Sequence, residues 1–199
     1  MRLFTAIPLP DTTREHLARV LGALKMLPAL RESVRWVNAD HFHITLKFIG
    51  EVPGERVPLL VTSLKTLTIA PMPLAIDRFL VLPGQGPARV LAANVTRDLA
   101  PITSLFKQIE AACQPLGVSR ERREFKPHLT FGRFSRPSPK LTAQSLIRMI
   151  DPGLLPAPAF TATGFTLFQS ELGRREHCIR RSRRFRRDPL KSELSANSR

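Results

Sequence analysis

Two histidines in this chain are each followed two residues later by a threonine. The segments are His43-Ile44-Thr45-Leu46-Lys47-Phe48 and His128-Leu129-Thr130-Phe131-Gly132-Arg133-Phe134. Side chains along a β-strand alternate between faces, so each histidine shares a face with its threonine. Ile44, Leu46 and Phe48 are expected to turn the other way, into a core, with Leu129 and Phe131 as their counterparts. At this composition one His-x-Thr triplet with apolar flanks is expected about 0.07 times by chance. The signal is the pair.

A pair of imidazoles suits the opening of a phosphodiester by in-line attack. One group takes a proton from the incoming water, while the other protonates the departing oxygen on the opposite side. Histidine can do either because it titrates near neutrality. Threonine hydroxyls can donate to the non-bridging phosphate oxygens, where charge must be held in the transition state. Such a site needs no metal or other cofactor, and no carboxylate follows either histidine at a spacing such as HExxH.

Strand parity adds two candidates. Lys47 has the parity of His43 and Thr45, so its cation is expected either at the phosphate or at a solvated rim. Arg133 has the wrong parity for His128 and reaches the site only if the strand bulges or ends at Gly132. The other histidines, His16 on a helix, His41 in a loop beside Asp40 and His177 in a basic segment, are expected to be structural or exposed rather than catalytic.

These motifs must be held by the elements around them. Leu3–Ile7 and Val34–Val37 read as short strands, His43–Phe48 as a stronger one ended by Gly50. Thr12-Thr13-Arg14-Glu15 matches a capping box for a helix carrying Leu17, Val20, Leu21, Leu24 and Leu27, with Pro28 as its stop. A second helix opens at Pro53-Gly54-Glu55. Leu74–Leu82 and Ala88–Val95 read as strands joined by Pro83-Gly84-Gln85-Gly86-Pro87. The second half follows a similar outline: a helix through Ile102 and Cys113 ending near Gly117, a strand at His128–Phe134, a helix from about Ser138-Pro139, and late strands at Phe160–Phe168 and His177–Phe185. Two comparable halves with irregular alternation predict an α+β protein of two similar lobes.

Composition is compatible with that. The chain has 199 residues, 43% hydrophobic and 24% charged, enough for one sizeable domain. No apolar run is long enough to cross a bilayer, and the first residues do not resemble a signal peptide, so a cytoplasmic monomer with no membrane association is expected. Cys113 and Cys178 lack disulfide or zinc spacing. The net charge of +15 favours a polyanionic partner, but eight arginines lie within residues 174–187. That segment reads as a solvated edge strand and tail or as a nucleic-acid contact.

Taken with Arg2-Leu3-Phe4-Thr5-Ala6-Ile7, Val34-Arg35-Trp36-Val37, Ile49-Gly50 and Leu167-Phe168-Gln169-Ser170-Glu171-Leu172, the two motifs resemble the 2H phosphoesterase superfamily. Within it, the chain is most similar to the RNA 2′,3′-cyclic phosphodiesterases, also described as 2′-5′ RNA ligases. The likeness covers roughly residues 1–173. It implies a bilobal fold, with two pseudo-symmetric lobes of antiparallel sheet plus helices around a central cleft. Residues 1–185 would form this single catalytic domain and 186–199 a basic, polar, disordered tail. The resemblance also implies metal-independent hydrolysis of RNA 2′,3′-cyclic phosphate ends to a 2′-phosphate, with His43 as proton donor, His128 as proton acceptor, and Thr45, Thr130, Arg133 and Lys47 as substrate contacts. Alternatives are a 2′-5′-linked oligonucleotide or small cyclic nucleotide as substrate, ligation on the same site, and a non-catalytic RNA-binding module.

Overall fold

The computed structural model describes residues 1–136, 141–172 and 177–186, and for 171, 172 and 177–182 the backbone alone. The expected tail beyond Arg186 lies outside these residues. So does Ser138-Pro139, the expected start of the last helix.

Strands are β1 (Arg2–Pro8), β2 (Val34–Trp36), β3 (His43–Glu51), β4 (Met72–Leu82), β5 (Val90–Arg97), β6 (His128–Phe134), β7 (Phe160–Ala162), β8 (Gly164–Leu172) and β9 (His177–Arg186). Helices are α1 (Asp11–Met26), α2 (Pro28–Arg31), α3 (Val57–Lys65), α4 (Ala100–Cys113) and α5 (Ala143–Met149). Among the described residues the strands form one antiparallel sheet in the order β7-β4-β5-β6-β3-β1-β8-β9, with β2 also on β6.

The sheet falls into two halves that meet where β3 touches β6 at Ile44–Leu129. One half is β7-β4-β5-β6 and the other β3-β1-β8-β9. This is the expected pair of similar lobes, but the lobes do not coincide with the halves of the sequence. β4 and β5, from the first half of the chain, lie in the lobe of β6, whereas β8 and β9 close the lobe of β3. Neighbours in an antiparallel sheet need only complementary faces and a connection long enough to reach.

Helices cover one face. Leu17, Val20, Leu21 and Leu24 of α1, Leu60 and Leu64 of α3, and Ile102, Leu105 and Ile109 of α4 share a single core with Leu3, Ile7, Ile44, Leu129 and Phe131 from the strands. Their spacing at three and four residues puts each helical set on one stripe. Phe4, Ala6 and Phe168 form a separate small cluster on the opposite face. The strands of β1 explain the division: Leu3, Thr5 and Ile7 alternate with Phe4, Ala6 and Pro8.

Three local expectations are corrected. Helix α1 begins at Asp11 with Pro10 before it and no side-chain cap, so Thr12 lies inside the helix rather than capping it. Proline's fixed φ and the Asp11–Arg14 ion pair, 2.9 Å, start the helix two residues early. Helix α5 begins only at Ala143, where Thr142 and Ser145 form a reciprocal capping box, so Leu141 precedes it. Phe160–Phe168 is not one strand but parts of β7 and β8.

Candidate active site

His43 opens β3 and His128 opens β6, and the two strands run antiparallel through Ile44–Leu129. Continuing this register by one residue sets Thr45 across from His128 and His43 across from Thr130. Each lobe thus presents its histidine to the other lobe's threonine. The outer neighbours agree, since Asn94 pairs with His128, Ala92 with Thr130, Ala6 with Thr45 and Pro8 with His43. Both histidines and both threonines are half-buried, with Ile44 and Leu129 fully covered beneath them.

The histidines are held alike. His43 Nδ1 lies 2.6 Å from the carbonyl oxygen of His41, and His128 Nδ1 lies 2.7 Å from that of Lys126. A carbonyl oxygen only accepts, so Nδ1 carries the hydrogen and donates in both cases. That fixes the ring orientation and leaves Nε2 as the nitrogen that can exchange a proton with a ligand. Asn38 supports the first of these contacts by capping the short turn Ala39–His41, accepting from the Asp40 amide at 3.0 Å. His41, expected to be structural or exposed rather than catalytic, contributes its backbone carbonyl.

Burial is the largest influence on His43 and pushes its pKa below the usual 6.5; His41 and His128 push the same way, opposed by the bond to the His41 carbonyl. Positive charge costs more where water is excluded, so burial holds His43 toward its neutral form.

Immediately after each threonine the strand bulges. The β1–β3 register passes from Ala6–Thr45 to Thr5–Lys47, leaving Leu46 as the extra residue. The β5–β6 register passes from Ala92–Thr130 to Leu91–Gly132, leaving Phe131 as the extra one. An extra residue reverses the parity of everything beyond it. Two expectations are thereby corrected.

Lys47 turns to the helical side instead of joining His43. It is 4% exposed, and its Nζ donates to Glu110 Oε1 at 2.5 Å and to the Ser119 carbonyl at 2.9 Å. Glu110 Oε2 also accepts from the Glu121 amide at 3.2 Å. Lys47 thus ties β3 to α4 and the loop beyond it, and has no place beside the histidines. Phe48, expected in the core, emerges on the histidine face with 64% of its surface exposed.

The second bulge supplies what Arg133 required. Past Phe131 and Gly132, both covered, Arg133 is exposed on the face of His128 and Thr130 while Phe134 returns to the core. Glycine is needed here because a Cβ on Gly132 would collide with Val34 Cγ1 and stand 2.9 Å from the Arg35 carbonyl oxygen.

Several neighbours were not legible beforehand. Asn94 and, across from it, Arg78 lie in the row of His128, and Arg35 lies opposite Arg133. Phe4 and Phe168 flank His43, with ring centroids 5.0 and 5.9 Å from its own. Alternation alone could assign each of them a face, but not a neighbour. Among the described residues no three His, Cys, Asp or Glu side chains converge as metal ligands would. No helix there is long and apolar enough to cross a membrane.

The chain is similar to known proteins. A family model described as LigT like phosphoesterase matches residues 7–92 and 96–178. The RNA 2′,3′-cyclic phosphodiesterase of Archaeoglobus fulgidus is 30% identical over 141 residues, 71% of this chain and 77% of that protein. That of Escherichia coli is 28% identical over 174 residues, 87% and 89% of the two chains. Among solved structures, E. coli LigT complexed with 3′-AMP is similar with a TM-score of 0.74 at 25% identity, over 94% of this chain and 97% of that one.

Proposed function

This chain belongs to the LigT-like phosphoesterase family, and from that premise we propose that it hydrolyses the 2′,3′-cyclic phosphate end of RNA to a 2′-phosphate without a metal. His128 Nε2 takes a proton from the attacking water, and a new P–O bond forms as the bond to the ribose 3′ oxygen breaks. His43 Nε2 gives its proton to that oxygen. Thr45, Thr130 and Arg133 hold the non-bridging oxygens. The depressed pKa of free His43 does not oppose its role as acid, because a bound phosphate anion favours its charged form.

The observation that carries this reading is the matched support of the two rings. Each donates Nδ1–H to the carbonyl two residues before it, in motifs brought face to face by Ile44–Leu129. A module that merely bound RNA would need neither two oriented, titrating groups nor their pairing. The relatives supply the substrate class: proteins similar over most of this chain bear the name RNA 2′,3′-cyclic phosphodiesterase. The reading carries with it a monomer working on RNA in the cytoplasm, as the sequence led us to expect.

The test is to incubate the purified protein, in EDTA, with an oligoribonucleotide ending in a 2′,3′-cyclic phosphate, and to identify the product. A terminal 2′-phosphate is expected. A 3′-phosphate would reverse the proton assignments, and loss of turnover in EDTA would overturn the metal-free mechanism. Absence of turnover with and without EDTA would overturn the hydrolase reading.

A further inference from the structure

The last strand carries charge that the proposed chemistry does not use. Its final residues, Arg183-Arg184-Phe185-Arg186, lie beyond residue 178, where the family match ends. Phe185 is buried and stacks on Phe165 of β8, with ring centroids 4.8 Å apart and an interplanar angle of 11°. Gly164 lets β9 come this close, since a Cβ there would collide with the Phe185 carbonyl oxygen. With Phe185 fixed in the core, alternation turns Arg184 and Arg186 to the opposite face, that of the histidines. Both are exposed.

Register brings these two arginines into the rows of the first motif. Thr45 pairs with Ala6, Ala6 with Thr166, and Thr166 with Arg184. One row along, His43 pairs with Pro8, and Gly164 pairs with Arg186. Continuing the β1–β8 register by two residues sets Pro8 across from Gly164. Between the site and the arginines, the sheet is therefore floored by short side chains alone: Ala6, Pro8, Gly164 and Thr166. Three strand spacings separate β3 from β9, about 14 Å along the row. A guanidinium reaching back over that floor falls short of a phosphate held beside His43 and Thr45. It meets instead what extends from that phosphate. In RNA the terminal ribose is joined through its 5′ oxygen to the phosphodiester of the preceding nucleotide. A guanidinium binds such an anion through paired, charge-assisted hydrogen bonds.

We propose that Arg184 and Arg186 bind the phosphodiester backbone upstream of the terminal nucleotide, so that β9 distinguishes an RNA end from a free cyclic mononucleotide. This rests on the reading of His43 and His128 as the site for cyclic phosphate. Backbone contacts carry no base preference, so the gain applies to any sequence and weakens with salt.

The experiment compares adenosine 2′,3′-cyclic phosphate with a short oligoribonucleotide ending in that same group. Wild type should favour the oligomer, and kcat/KM on it should fall with salt more steeply than on the mononucleotide. In the double variant Arg184→Gln, Arg186→Gln, kcat/KM on the oligomer should drop about tenfold at low salt, what one charge-assisted hydrogen bond supplies. The slope of its logarithm against log salt should become shallower by about 1.4, the share of two phosphates on a single strand. Turnover of the mononucleotide should stay as in wild type, which also verifies the fold. Arg184→Lys with Arg186→Lys should keep the salt slope, because the charge is retained. An undiminished oligomer preference in the glutamine variant would overturn the proposal, as would equal losses on both substrates or a wild type with no such preference. Failure of wild type on both substrates would instead overturn the hydrolase reading beneath it.

Discussion

Ile44 on β3 and Leu129 on β6 form the ladder pair, among the described residues, at which the two lobes of the sheet join. Both are fully buried against the helices. On the far side of the sheet their chain neighbours are His43 and Thr45, His128 and Thr130. The pair thus fixes the spacing of the groups proposed to carry the chemistry, and the ladder stops there. Five predictions follow from this arrangement and its surroundings.

The histidines should be required singly and the threonines should matter less. His43→Ala and His128→Ala are each expected to lower kcat by at least about 10²-fold, the low end of general acid–base contributions. Thr45→Val and Thr130→Val preserve shape and remove the donor, and should cost about 10²-fold or somewhat less. Steady-state kinetics on the cyclic phosphate oligomer, with circular dichroism to verify folding, checks both.

His43 should titrate below an ordinary imidazole. NMR of the ring carbons should show His43 with a midpoint below 6.5, rising when 3′-AMP or inorganic phosphate is added, because burial disfavours the cation and an anion restores it. The linkage to folding has a definite sign. The folded state binds this proton less readily than the unfolded chain, so His43 contributes stability above pH 6.5 that is lost as pH falls through 6.5 toward its lowered folded value. A midpoint at or above 6.5 in the free protein would contradict this account.

Lys47 should prove to be a residue of the fold. Lys47→Ala leaves Glu110, whose side chain is only 10% exposed, without its cation, and should destabilise by about 3–5 kcal/mol. Lys47→Met in combination with Glu110→Gln should recover part of that, and the folded fraction should keep near wild-type KM. Denaturant unfolding and substrate titration distinguish this from a lost phosphate contact, which would raise KM without changing stability.

Cys113 sits beside this ion pair with its thiol pushed up to about 11, chiefly by burial. In a Cys178→Ser background it should therefore resist alkylation at pH 8 in the native state and react readily once unfolded. Rapid labelling of the native protein would show that α4 is less tightly packed on the sheet than the structure has it.

Gly132→Ala should damage the second motif without touching a proposed catalytic group. The added Cβ would push on Val34 and the Arg35 backbone, at a cost of about 1–3 kcal/mol. Displacing the bulge should also misplace Arg133 and raise KM. An equally active variant of unchanged stability would mean that β2 yields freely.

Much of this molecule can be read along the chain. The alternation in His43–Thr45 and His128–Thr130 assigns each pair to a face, because over three residues a strand leaves little choice. The helical stripes of α1 and α4 follow from spacing at three and four residues, and the pairing of two rare motifs marks the site. Lys47, Phe48 and Arg133 needed more. Their faces depend on bulges after Thr45 and Thr130, and a bulge is set by how one strand packs on its neighbours, as the crowding of Gly132 against β2 illustrates. The sequence of β3 is equally consistent with a straight strand. Which lobe each strand joins, and the placing of Phe4 and Phe168 beside His43, likewise depend on contacts between segments far apart in the chain. Local periodicity determined the chemical groups and their faces; only tertiary packing decided which of them meet.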